Sequence, residues 1–176
     1  CDALFTQIQP EDSGLSDVLR CDDGRFIVID GGREFEPDAQ RLYECLKEGS
    51  PFETPVIAAW IFTHAHSDHF HCFIKFFDMY ADTVTIEKFL YYFPERDDVA
   101  HYPRMKHKDF RFEDSSPYTN IALMEERVKK SGAKIYSPHT GQKYVIGDAS
   151  LKFLCSMDDT IHKNDDLNST CPMIRM

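Results

Sequence analysis

Hydrophobic and polar positions along the chain follow two periods, and the order in which they alternate predicts the elements. Residues 3–9 alternate, residues 17–21 form a short second stretch, and residues 25–29 are apolar and β-branched, so the chain is expected to open with three strands. Asp22-Asp23-Gly24 is a hairpin signal between the second and third. The period then lengthens. Ala39, Leu42 and Leu46 recur at helical spacing within 37–48, where Pro37 suits a first helical position and Gly49 with Pro51 ends the run. Val56 to Phe62 is uninterrupted and apolar, the pattern of a strand buried on both faces. Phe70, Phe73, Ile74 and Phe77 mark a second helix. A strand over 86–93 follows, closed by Pro94, and then a polar stretch, 95–116, without a clear period, read as a surface excursion. Ile121, Met124 and Val128 mark a third helix over 118–130, stopped by Gly132. The rest reads as strands at 134–136, 143–146, 150–155 and 170–175, with turns at Thr140-Gly141 and Gly147-Asp148 and a polar loop over 158–168.

Strands first, then alternating helices and strands, then strands again predict an α/β (α+β) fold with a mixed β-sheet and flanking helices. The 176 residues suit a single domain with a sizeable core. The last predicted strand has no closing element after it, so the domain is expected to be incomplete over 1–176.

Composition narrows the classes. At 42% hydrophobic residues the chain is not of the disordered type. Thirty acidic against twenty basic residues give a formal charge of −10, which argues against a surface that grips nucleic acid by counterion release. No apolar run approaches the ~18 residues of a membrane span. Six cysteines (Cys1, Cys21, Cys45, Cys72, Cys155 and Cys171) form no Cys-x-x-Cys pair and read as scattered thiols, with Cys45 and Cys72 in core packing. That pattern predicts a reducing, cytoplasmic setting. The initial Cys1 keeps an exported or lipoprotein form as the alternative.

The chemistry is concentrated in Thr63-His64-Ala65-His66-Ser67-Asp68-His69, directly after the buried strand. In extended backbone alternate residues share a side, so His64 and His66 can face one metal ion. As the chain turns into the helix, Asp68 and His69 can aim at a second point nearby. Imidazole nitrogen with carboxylate oxygen suits zinc, and also iron or manganese. Burying this many polar groups together without a partner would be unfavourable. Two adjacent ions lower the pKa of water and polarise a substrate oxygen, which is hydrolysis without a protein nucleophile. Ser67 lacks the base and orienting group that a nucleophile needs.

The motif resembles the His-x-His-x-Asp-His signature of the metallo-β-lactamase fold superfamily. Ile29-Asp30-Gly31-Gly32 resembles the strand-end Asp-x-Gly that precedes the signature there. Residues 141–148, Leu151-Lys152-Phe153-Leu154 and Asn168-Ser169 resemble, more narrowly, the branch related to the hydrolase domain of DNA-uptake competence proteins. His71-Cys72 departs from the Gly-Gly of that branch. The resemblance implies the N-terminal half of a four-layer αββα sandwich. It implies a hydrolase with two zinc ions, His64 and His66 holding one, Asp68 and His69 the other, and Asp68 catalytic. Asp30 would orient a ligand histidine from behind. The remaining ligands would lie beyond Met176, leaving this part of the domain inactive and weak in metal on its own. A small molecule or a phosphodiester is the implied substrate. A non-catalytic metal-binding or ligand-binding member of the same fold is the alternative.

Other histidines read as ordinary. His71 is taken as a solvent-facing helix residue, with the pocket rim as the alternative, His139 as structural beside Pro138, and His162 as a solvated loop residue, where the resemblance also allows a ligand. His101 and His107 belong to a solvated basic stretch with Tyr102, Arg104, Lys106, Lys108 and Arg111.

Overall fold

The computed structural model describes residues 4–94, 117–160 and 170–176. The hairpin comes first. Strands β1 (Leu4–Gln7), β2 (Ser16–Arg20) and β3 (Phe26–Asp30) pair antiparallel in sequence. Gly24, at φ +82°, supplies the turn between β2 and β3, and its amide bonds the Cys21 carbonyl at 3.0 Å. Asp23 then grips the Arg25 amide and guanidinium, closing the turn from its side-chain face.

After β3 the topology becomes parallel. Helix α1 (Glu36–Gly49) leads to β4 (Val56–Ile61), and α2 (Ser67–Tyr80) leads to the short strands β5 (Thr85–Ile86) and β6 (Lys88–Leu90). Helix α3 (Pro117–Lys130) precedes β7 (Lys134–Tyr136). The sheet runs β1-β2-β3-β4-β6-β7, with β5 also on β4. Parallel pairing needs long crossovers, and the helices supply them. A second, antiparallel sheet contains β8 (Lys143–Ile146), β9 (Ala149–Cys155) and β10 (Met173–Arg175), in the order β10-β9-β8. A single helical turn, α4 (Met157–Thr160), follows β9.

Two cores make the large sheet the middle layer. Phe26 and Val28 of β3 face the helices, against Leu42 and Leu46 of α1 and the phenylalanines of α2. Ile27 and Ile29, one residue out of phase, face Ile146, Leu151 and Phe153 of the second sheet. Alternation on a strand buried on both sides accounts for this split, as the continuous apolar run predicted. The architecture is therefore α/β/β in three layers: a mixed sheet, helices on one face and a smaller sheet on the other.

Most predicted elements stand within one or two residues of their expected ends. The strand expected over 86–93 is instead two short strands interrupted at Glu87. There the backbone still bonds Ile57 and Lys134, while the carboxylate reaches Arg25 at 2.8 Å. The 170–175 strand begins only at Met173. The excursion over 95–116 with His101 and His107, and the Asn168-Ser169 step, lie outside the described residues, as does His162. Among the described residues, no helix is long and apolar enough to cross a membrane.

Candidate metal centre

The motif spans a strand end and a helix start. Strand β4 stops at Ile61, His66 is extended at φ −89° and ψ 143°, and α2 begins at Ser67. His64 and His66 therefore leave the sheet on one side, and Asp68 and His69 occupy the first helical turn. His64 Nε2 and His66 Nδ1 face each other at 3.1 Å. His69 Nε2 and Asp68 Oδ2 lie 4.0 Å apart. The His64 and His69 rings are adjacent, with centroids 4.0 Å apart.

Behind both pairs stands Asp30, with no exposed surface. Its Oδ1 accepts the Thr63 amide at 2.8 Å. Its Oδ2 accepts the Thr63 hydroxyl at 2.6 Å and stands 2.7 Å from His69 Nδ1. Thr63 Oγ1 is also 3.0 Å from His64 Nδ1. The hydroxyl has one proton, and it is directed to Asp30, so His64 Nδ1–H donates to the hydroxyl. His69 Nδ1–H likewise donates to Asp30. One buried carboxylate thus sets a histidine of each pair in the tautomer whose Nε2 carries a lone pair. Burial raises the Asp30 carboxyl above the ordinary range, although the His69 and Thr63 hydrogen bonds favour its charged form. Burial pulls His69 down, but the hydrogen bond and charge of Asp30, with the charge of Asp68, outweigh it and leave the imidazole raised.

Asp30 sits where it does because its own backbone is left-handed, at φ 57°. Aspartate tolerates that region better than most residues. The carbonyl there accepts Trp60 Nε1–H at 2.8 Å. The flexible glycines of Asp30-Gly31-Gly32 suggest a sharp turn, yet the aspartate itself begins it.

The donor set can be tested for fit. Two imidazole nitrogens on one tetrahedral zinc, each at about 2.0–2.1 Å, stand about 3.3 Å apart. The His64–His66 separation of 3.1 Å is close to that; without an ion it is a hydrogen bond in which His66 Nδ1–H donates to His64 Nε2, a proton that a bound ion would displace. The Asp68–His69 separation of 4.0 Å is wider, and those side chains must close by several tenths of an ångström. Donor types fit zinc, iron or manganese. Among the described residues no group of three such side chains converges on one point, so each position has two donors where zinc takes about four.

Several neighbours have no signal in the sequence. Cys171, read as a scattered thiol, is an exposed residue whose thiol is raised by partial desolvation and by the charge of nearby Asp30. Gly14, in the β1–β2 loop, touches the Asp68 backbone. The expectation for His71 is corrected: it is half-buried, not solvent-facing. Its ring meets Phe70 edge-on at 4.9 Å, its Nε2 is buried without a hydrogen-bond partner, and burial lowers its pKa. The first turn of α2 packs under the 31–34 loop, which encloses a position that helical phase alone leaves open. His139 is held in a turn, its amide bonding Gln142 and its ring against Tyr92. A cavity of about 370 Å³ lined by Phe77, Asp78, Asp82 and Lys130 lies at the opposite end of α2 and receives no residue of the motif.

No protein-family model matches the chain, and no curated protein is similar to it. Among solved structures it is similar to a metallo-β-lactamase with a HARLDQ motif from Cronobacter sakazakii, at 16% identity and a TM-score of 0.44, over 80% of this chain and 42% of that one. It is similar to a flavo di-iron protein variant from Thermotoga maritima, at 15% identity and 0.44, over 82% and 27%. A third similarity is to a putative metallo-β-lactamase from Thermotoga maritima, at 13% and 0.48, over 94% and 70%. The chain spans less than half the length of the first two.

Proposed function

We propose that the chain is part of a metal-dependent hydrolase of the metallo-β-lactamase type, with His64 and His66 at one ion and Asp68 and His69 at a second. The observation that carries this reading is the shared backing of the two donor pairs: Asp30 Oδ2 beside both the Thr63 hydroxyl and His69 Nδ1. A buried carboxylate used this way has little purpose in packing alone, since burying a charge is unfavourable unless its partners are specified. The motif and its Asp30-Gly31-Gly32 companion support the same reading.

When bound, the ions supply Lewis acidity toward a substrate oxygen and a lowered pKa for water. The chain's own residues do the rest. Asp30 holds the Nδ1 proton of His69 directly and that of His64 through Thr63, so neither imidazole can turn its protonated nitrogen into the site. Asp68, partly exposed at the start of α2, presents a carboxylate to that site and is the catalytic side chain of this reading. The remaining donors come from outside the described residues. Zinc is the first choice, with iron or manganese compatible. The substrate is a small molecule or a phosphodiester, the latter from the competence-like residues 141–154.

Metal analysis of the protein carrying its complete domain tests the proposal. Stoichiometric zinc, iron or manganese is expected, and its absence rejects the reading. The alternative is a non-catalytic metal-binding or ligand-binding member of the fold. Asp68→Ala separates the two: hydrolysis of a model phosphodiester or ester falls by roughly 100-fold or more if the residue takes part in the chemistry, and unchanged hydrolysis supports the alternative.

A further inference from the structure

The β1–β2 loop touches the wider of the two donor pairs, and it does so through a glycine. Gly14 has φ +130°, a region that L side chains rarely adopt. A Cβ at this position would lie 2.1 Å from the Asp68 carbonyl oxygen and 3.0 Å from Gly32 Cα. Both obstacles are backbone, so no side-chain rotation can relieve them. The loop is tied down around this point. The Gly31 amide bonds the Leu15 carbonyl at 2.8 Å, the Ile8 amide bonds the Ser16 carbonyl at 2.8 Å, and Arg33 Nε bonds Ser13 Oγ at 3.0 Å. On the other side, the Cys72 amide bonds the Gly32 carbonyl at 2.9 Å and the His69 amide bonds the His66 carbonyl at 3.0 Å.

We infer that Gly14 is a positioning residue for the Asp68–His69 half of the centre, acting through the Asp68 backbone. This rests on the metal reading above. The bare backbone of Gly14 lets the loop press against the first turn of α2 and sets the height of Asp68 relative to His69. That pair is the one standing 4.0 Å apart, where a small displacement decides whether two donors can share an ion. His64 hangs from the end of β4 and from Asp30 through Thr63, away from the atoms nearest a Cβ at Gly14. Loop and helix turn are both anchored, so an added methyl must move the Asp68 turn, while His64 keeps its place at the end of β4.

The test is a zinc titration of the ¹⁵N-histidine-labelled protein carrying its complete domain, read at the ring nitrogens of each histidine, for wild type, Gly14→Ala and Gly24→Ala. Gly24 is the control: it also has positive φ, and its added Cβ would meet Pro51 Cγ at 2.3 Å, at the opposite end of β3. The expected result is that Gly14→Ala weakens the zinc response of His69 by roughly 10-fold, the scale of lost outer-shell support, while His64 responds as before. Gly24→Ala lowers stability and leaves all three responses unchanged. A Gly14→Ala chain whose His69 responds as in wild type overturns the inference, and so does equal weakening in Gly24→Ala. Should Gly14→Ala not fold, Arg33→Ala decides. It frees the loop from Ser13 without adding an atom, and it must weaken His69 selectively, an unchanged response again overturning the inference. A wild-type protein carrying its complete domain in which no motif histidine responds to zinc rejects the metal reading itself, a separate outcome.

Discussion

Asp30 carries the strongest expectation at the scale of a single residue. Its carboxyl and the His69 imidazole are both raised, so the folded, metal-free chain binds more protons than the unfolded one over the range between ordinary and raised values. For His69 that stabilisation is full below about 6.5, the ordinary histidine value, and is lost as pH rises through the raised one. Asp30 contributes with the same sign, starting from the ordinary carboxyl range. Asp30→Asn keeps the side-chain size and tolerates the φ of 57°. With chelator present, the urea midpoint of this variant is expected to lose that decline with rising pH, and the His69 titration followed by NMR to move down. A variant whose pH profile matches wild type would show that the pair is not linked to folding. The resemblance carried by Ile29-Asp30-Gly31-Gly32 implied that Asp30 stands behind a histidine of the motif, and the structure has it beside His69. Its grip on Thr63 was not legible in the sequence, because those residues are 33 apart in the chain and meet only through parallel pairing of β3 and β4.

Elements were read best where the period was clean. The apolar stripes of α1, α2 and α3 are buried as expected, with Leu42, Phe73 and Met124 fully so. Elements shorter than a full period were read less well, since a three-residue strand has almost no alternation to detect. The second sheet shows what register adds. Lys143 pairs with Lys152, and Lys152 with Arg175, all on the outward face opposite Leu151 and Phe153. No carboxylate stands among the outward residues of these strands, and like charges directly across strands are destabilising. Replacing Lys152 by Glu turns both pairs into opposite charges, and is expected to raise stability by about 0.5–1 kcal/mol. Thermal unfolding checks this, and the gain should shrink in high salt. A lower midpoint would mean that the row faces a negative neighbour.

Over the whole molecule, the two cores share one central sheet and should open as one unit. Each contains a buried thiol. Cys72 lies in the helix-side core, with burial pushing it up to about 12, and Cys21 in the sheet-side core, pushed up to about 11 mainly by burial. Neither forms much thiolate near neutral pH, so neither should react with iodoacetamide in the folded chain. With increasing urea both are expected to become reactive at the same midpoint, read by mass spectrometry of the labelled peptides. Earlier labelling of Cys21 would show that the second sheet separates first.

The chemistry of Thr63 to His69 was decided by the sequence, because donor type and strand-to-helix phase are local properties. So were the helices, whose buried stripes repeat over several turns. Tertiary structure alone decided that the Asp30 carboxylate bonds Thr63 as well as His69, and that the Gly14 backbone meets that of Asp68. These contacts join separate segments, and no local pattern encodes them. Packing also set the spacing within each pair, 3.1 Å for one and 4.0 Å for the other, since a helix turn pressed by a distant loop takes its position from that loop.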